Sequence, residues 1–245
     1  MTTRTCFVSG SGQNIGRAIA VALAEKGHNV VINGASNRKA CDETAELCRA
    51  HGVETLVAMG NVGDRDAAAA IAEAALAKFG TVDMAVNNAA IRPTKAFLEI
   101  AEEEWKRVIE TNLYSVFYLS RAFLPGMIAR KWGRIINFAG MNAMHGYGGG
   151  GSQISASKHA VWGMTKALAK EFGPQGVTVN IVSPGPIRRT DGRAGGHAGG
   201  DAIKGIPLAR TGEPSEVAAL VAFLCSDEAG FVTAQMIACN GGGQT

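Results

Sequence analysis

Short apolar runs alternate with helical patterns along almost the whole chain, and that alternation leaves few folds open. The runs "TCFVSG" (5–10), "NVVING" (29–34), "ETLVAMGNV" (54–62), "VDMAVNNA" (82–89), "GRIINFAG" (133–140), "VTVNIVSPG" (177–185) and "QMIACNGG" (235–242) have the length and composition of strands. Helical patterns cover 15–27, 38–52, 64–80, 102–129, 155–173 and 214–228, the last with Pro214 near its start. Short strands separated by helices of this length pair in parallel, because a parallel connection needs a long crossover. The expected architecture is α/β: one doubly wound parallel sheet in three layers, with right-handed crossovers. No composition break or Pro/Ser-rich linker divides residues 1–245, so the expectation is a single domain. The glycine-rich stretch about 186–205 differs in texture and is expected to be a loop over a substrate.

Composition narrows the function classes. A formal charge of +3, with lysines and arginines scattered, gives no reason to expect nucleic acid or an anionic membrane as a partner. "MTTRTCFVSGSG" lacks the apolar stretch of a signal peptide, and the longest apolar run, Val217 to Cys225, is too short to span a bilayer. Five cysteines without C-x-x-C spacing read as reduced structural thiols, hence a cytoplasmic protein. No His/Cys/Asp grouping has metal-ligand spacing. His28, His51 and His197 read as surface residues, and His159 as a packing or interface residue.

"CFVSGSGQNIGRAIA" runs from a strand through a glycine-rich turn into a helix. Gly10, Gly12 and Gly16 let backbone approach an anion, and a helix N-terminus adds free N–H groups and positive dipole. With Ser11, Gln13, Asn14 and Ile15 they form a candidate dinucleotide turn at the first strand of a βαβ pattern. An NAD site places an acid after the second strand. Here Ser36, Asn37, Arg38 and Lys39 stand in that place, and the first acid is Asp42. A hydroxyl, an amide and a guanidinium suit a 2′-phosphate, which favours NADP(H) over NAD(H).

With these pieces placed, the chain resembles the short-chain dehydrogenase/reductase family, a Rossmann-like group, and its 3-oxoacyl-carrier-protein-reductase-like members in particular. The family's TGxxxGxG motif is matched by "SGSGQNIG", with Asn14 at the middle glycine. Its Asp-Val pair after the third strand is matched by Asn61-Val62. Its NNAG motif is matched by "NNAA", residues 87–90, which implies cofactor contacts from Asn88, Ala89 and Ala90. Asn112 in "ETNLYSVF" matches the helix asparagine that kinks the helix, and Pro184-Gly185 matches the PG motif, with Ile187 just beyond it. Ala234 is a further departure, near the end of the chain.

The resemblance implies a catalytic serine, tyrosine and lysine beside that asparagine. Lys158 matches the lysine. The serine's place falls on or beside Gly140, and the tyrosine's place, four residues before the lysine, holds Ile154. A phenol beside an ammonium can protonate the alkoxide left by hydride addition, and a serine hydroxyl polarises the carbonyl. Isoleucine and glycine do neither. Tyr147 and His145, between strand and helix, are of types able to donate a proton, and Ser152 and Ser155 lie close by. The catalytic candidates are therefore Lys158, Asn112, Tyr147 and His145.

Three readings stay open on these residues. One is an NADP(H)-dependent oxidoreductase acting on an activated C=O, C=N or C=C of a small molecule. Another is a lyase or isomerase using Lys158 or His145 as base. The third is a non-catalytic nucleotide-binding member or partner subunit. The resemblance also implies a homo-oligomer, a tetramer or dimer, through the helices at 102–129 and 155–173 and the last strand. The surplus apolar surface of "AVWGMTKALAKEF" agrees.

Overall fold

The computed structural model describes residues 3–146, 150–189 and 203–243. Strands β1 (Thr5–Val8), β2 (Asn29–Gly34), β3 (Thr55–Met59), β4 (Met84–Asn87), β5 (Gly133–Phe138), β6 (Val177–Pro184) and β7 (Met236–Cys239) form one sheet. Their order is β3-β2-β1-β4-β5-β6-β7, and every pair is parallel. The helices are α1 (Asn14–Glu25), α2 (Arg38–Arg49), α3 (Arg65–Phe79), α4 (Glu102–Ile109), α5 (Ser115–Ala129), α6 (Met141–His145), α7 (Ser152–Phe172) and α8 (Pro214–Leu224). This is the doubly wound three-layer arrangement that the alternation predicts.

Alternate strand residues feed the two faces. Cys6, Val8, Met84, Val86, Ile136 and Phe138 pack with Ile19 and Leu23 of α1, Cys41 and Cys48 of α2, and Val217 and Val221 of α8. Phe7, Ala85, Ile135 and Val179 pack with Ile71 of α3, Leu119 and Phe123 of α5, and Ala169 of α7. Both sheet faces are thus covered, which explains why the strands read as continuous apolar runs. All five cysteines are free, and all but Cys239 are buried.

Chain order reverses between β1 and β4, so the carboxyl ends of these strands open a crevice of the kind where doubly wound sheets bind ligands. Local sequence aims elements at that crevice. Asp64 caps α3 by accepting from Ala67 N–H (2.8 Å), and Gly80 ends it in the left-handed conformation (φ 72°). Asn37 caps α2 by accepting from Ala40 N–H (3.0 Å). The capping box of Glu213 and Glu216, with Pro214 in the first turn, starts α8.

Several expectations change. The stretch 102–129 is two α-helices joined by a π-helical turn, Glu110–Tyr114. The first and last strands are shorter than their apolar runs, and the five-residue α6 was not anticipated. His28 is not a surface residue. It is buried, its Nδ1 accepts from Arg4 N–H (3.4 Å), and burial lowers its pKa. Tyr147 and His197 lie outside the described residues, as does most of the glycine-rich 186–205 segment.

Ala234 holds φ 57°, a left-handed conformation that costs an L-residue about 1 kcal/mol or more. Its N–H is pinned to Val179 O (2.9 Å), so the chain cannot relax. Ala234→Gly is expected to raise stability by about 0.5–1 kcal/mol, its half-buried methyl offsetting part of the gain. The check is a rise in urea midpoint at constant slope.

Candidate active site

The glycine turn is held by side chains from two neighbouring strands. Gly10 takes the left-handed conformation (φ 62°) that glycine adopts without penalty. At Gly16 a Cβ would collide with Gly10 O and stand 2.7 Å from Asn88 Nδ2, so only glycine fits. Asn14, at the place of a family glycine, also holds a left-handed φ of 50°, which asparagine tolerates better than other residues. Asn33 of β2 accepts from Gly10 N–H (3.3 Å) and donates to Ala58 O (2.9 Å) and Gly60 O (3.1 Å). Asn88 donates to Ser9 O (2.9 Å) and Gly10 O (3.1 Å), and Ala89 N–H donates to Ser9 Oγ (3.0 Å). The side chain of Asn88 therefore builds the turn at which the cofactor is expected. Asn33 was missed, although a lone asparagine in "VVING" was its signal.

Gln13 precedes α1 in extended conformation without a side-chain cap, and the first turn of α1 carries no acid. The first N–H groups of a helix have no intrahelical partner, so this end can hold an anion. Beyond β2, Ser36, Asn37 and Arg38 are exposed. Asn37 is occupied in capping α2, and Arg38 pairs with Asp42 one helical turn on (2.9 Å). Such an exposed pair contributes about 0–1 kcal/mol and exchanges readily for another anion. Asn61 accepts from Gly63 N–H (3.0 Å), and Val62 is buried beside it. At the far edge Gly185 N–H donates to Cys239 O (3.0 Å), a Cβ there would crowd Asn240, and Ile187 bridges to Gly212. Ala90 sits half-buried after β4.

Asn112 lies in the π-helical turn, 1% exposed. It accepts from Ile91 N–H (2.9 Å) and donates to Ile91 O (3.0 Å) and Ser157 Oγ (3.2 Å). It thereby locks the segment after β4 to α7. Lys158 is 2% exposed and donates from Nζ to Phe138 O at the end of β5 (2.7 Å). Among the described residues no carboxylate pairs with it. Burial, followed by the charge of Arg92, lowers its pKa to about 7.

Ile154 is 1% exposed, one helical turn before Lys158. Gly140 is extended, and a Cβ there would meet nothing within 4 Å, so the position has room for a hydroxyl yet supplies none. Ser152 Oγ, Ser155 Oγ and Gln153 Oε1 are buried without hydrogen-bond partners. His145 is exposed at the end of α6. His159 is exposed too, its Nδ1 2.9 Å from Ser155 O. The described residues contain no group of three metal-ligating side chains, and no helix long and apolar enough to cross a membrane. A groove of about 1020 Å³ between α1 and α8 includes Asn14 but not Lys158.

A crevice at the strand reversal, a helix N-terminus behind a glycine turn, and a buried lysine at its rim define a class of nucleotide-fold proteins. Residues 10–244 match the family model described as enoyl-(acyl carrier protein) reductase. The chain is 37% identical over 247 residues to 3-oxoacyl-[acyl-carrier-protein] reductase FabG of Staphylococcus aureus, covering 98% of each. It is 36% identical over 243 residues to acetoacetyl-CoA reductase of Cupriavidus necator, covering 99% of this chain and 98% of that one. Its fold superposes on a blue fluorescent protein from a metagenomic library in complex with NADPH (TM-score 0.92, 29% identity, 98% and 97% covered). It also superposes on acetoin dehydrogenase YohF from Salmonella typhimurium (0.90, 30%, 98% and 96%). The chain belongs to the short-chain dehydrogenase/reductase family, among its FabG-like oxidoreductases.

The buried amine sets a pH test. Between about pH 7 and pH 10.5 the unfolded chain holds a proton at Lys158 that the folded chain has released. Stability is therefore expected to rise with pH across that window and to gain nothing further from this group outside it, with a total on the order of 5 kcal/mol at most. Lys158→Met should flatten the rise, as urea unfolding from pH 6.5 to 10 would show.

Proposed function

We propose that this protein is an NADP(H)-dependent reductase that acts on an activated C=O, C=N or C=C bond of a small molecule. The observation that carries this reading is the Lys158 amine. It is buried at the end of β5, close to neutral pH in its affinity for a proton, and set at the crevice that the glycine turn opens.

The residues fit a dinucleotide. The turn leaves the N-terminus of α1 uncapped for a pyrophosphate. No acid stands directly after β2 to repel a 2′-phosphate, and Arg38 is exposed to meet one. A solved neighbour of 29% identity holds NADPH. When bound, the reduced nicotinamide supplies a hydride to the substrate carbon. Lys158 has two duties on this reading. It holds the ribose hydroxyls, and its ammonium gives the proton that the substrate's oxygen, nitrogen or carbanionic carbon takes up. Asn112 positions α7 through Ser157. A pKa near the working pH suits a general acid. Ile154 at the tyrosine's place and Gly140 at the serine's place limit the enzyme to bonds already activated.

A second reading, nucleotide binding without turnover, is favoured by the buried, apolar Ile154. Assembly follows from the same surfaces. Phe117, Leu124 and Ile128 of α5 with Met164, Leu168 and Phe172 of α7 line an apolar groove that a second copy would cover. The five free thiols accord with a cytoplasmic place.

Calorimetric titration with NADPH and NADH separately, followed by NADPH oxidation against a panel of enones, imines and 1,2-dicarbonyls, tests the reading. Micromolar binding of NADPH, at least about tenfold tighter than NADH, is expected. Lys158→Met should keep nucleotide binding within about tenfold and lower turnover by roughly 10²–10⁴. Nucleotide binding with no turnover of any acceptor would favour the second reading, and binding of neither nucleotide would sink both.

A further inference from the structure

The segment that follows β4 is fixed at three points. Ile91 is held through both its N–H and its carbonyl by Asn112. Pro93 O accepts from Gln153 Nε2 (3.0 Å), in the first turn of α7. Lys95 packs its carbonyl onto Gly150, where a Cβ would collide with it. Arg92 is therefore set between two clamps, one residue from each, against the end of α7 that carries Ile154 and Lys158.

The charges at this end do not balance. Lys95 has its own acid, Glu104, at 2.9 Å. Arg92 is exposed and has neither a carboxylate nor a hydrogen-bond partner among the described residues. Lys158 is buried and has, among the described residues, only the Phe138 carbonyl. The first clamp runs from Ile91 through Asn112 to Ser157, the residue before Lys158, and the second reaches Gln153, the residue before Ile154, so Arg92 stands beside the turn of α7 that ends in the buried amine. An exposed guanidinium beside a buried amine, neither with an ion-pair partner among the described residues, raises the local concentration of anions and favours a bound one. A guanidinium also offers paired donors in the geometry of a carboxylate.

Resting on the reductase reading above, we infer that the substrate is a small unsaturated carboxylate whose anionic group is held by Arg92, with its reducible bond lying toward Lys158. Arg92 is then a specificity-determining residue. The carboxylate sets the substrate's register in the crevice, and an ester or amide of the same skeleton is a poor ligand.

The test uses 4-oxopent-2-enoate and its methyl ester as probes, titrated calorimetrically into the full-length protein with NADP+ bound, so that no turnover occurs. The carboxylate is expected to bind at least about tenfold tighter than the ester. Arg92→Gln should bring the two within about twofold while leaving the affinity for NADP+ unchanged, and Arg92→Lys should restore part of the preference. Because Arg92 is exposed, these variants should fold, and circular dichroism confirms it. An ester that binds as well as the acid, a preference that survives Arg92→Gln, or no binding of the acid at about 10 mM overturns the inference. The same pair titrated without nucleotide separates the two readings. Failure to bind NADP+ counts against the reductase, whereas loss of the acid's preference counts only against Arg92.

Discussion

The side chain of Asn112 is the joint on which this site depends. Its amide pairs with both backbone groups of Ile91, much as a strand neighbour would, and reaches Ser157 on α7. Three elements meet there: the segment after β4, the π-helical turn and the long helix that carries Lys158. The extra residue of the π turn swings Asn112 inward, where each of its polar atoms is satisfied. Gly63, in the turn after β3, packs so tightly on Thr111 that a Cβ would stand 2.9 Å from its backbone. The joint therefore also reaches the Asn61-Val62 turn, and Arg92 takes its position from it.

On this frame the chemistry is that of a lone amine. A lysine in water is fully protonated at neutral pH and a poor acid. Buried behind β5 and exposed to the charge of Arg92, Lys158 becomes an acid of about pKa 7, the range a phenol reaches only beside a strong cation. On the proposed reading, isoleucine at the place of a tyrosine removes one proton donor and leaves the lysine to supply the proton.

Much of this was legible in the chain. Parallel strands buried on both faces betray themselves as apolar runs, and the glycine turn was visible because Gly16 admits no other residue. Lys158 and Asn112 were found through family motifs, since neither position shows its role by itself. Other features depended on tertiary contact. The π turn forms because Asn112 finds Ile91, twenty-one residues away, and no local pattern announces it. Helix α6 has five residues between glycines, too few for a period. Asn88 carried the right motif, but the bonds its side chain makes to the turn depend on tertiary contact, and His28 was taken for a surface residue because its partner, Arg4, lies on another strand's approach. Arg92 was passed over because an arginine before a proline looks like an ordinary loop cation until its neighbours are seen to be clamped.

The pH dependence of kcat/KM for NADPH-driven reduction of an activated acceptor reads the proton affinity of the free enzyme's acid directly. If Lys158 is that acid, kcat/KM is flat at the acid side and falls about tenfold per pH unit above roughly pH 7. A profile that stays level to pH 9, or one that breaks near pH 10, would contradict the account and return the proton to another group.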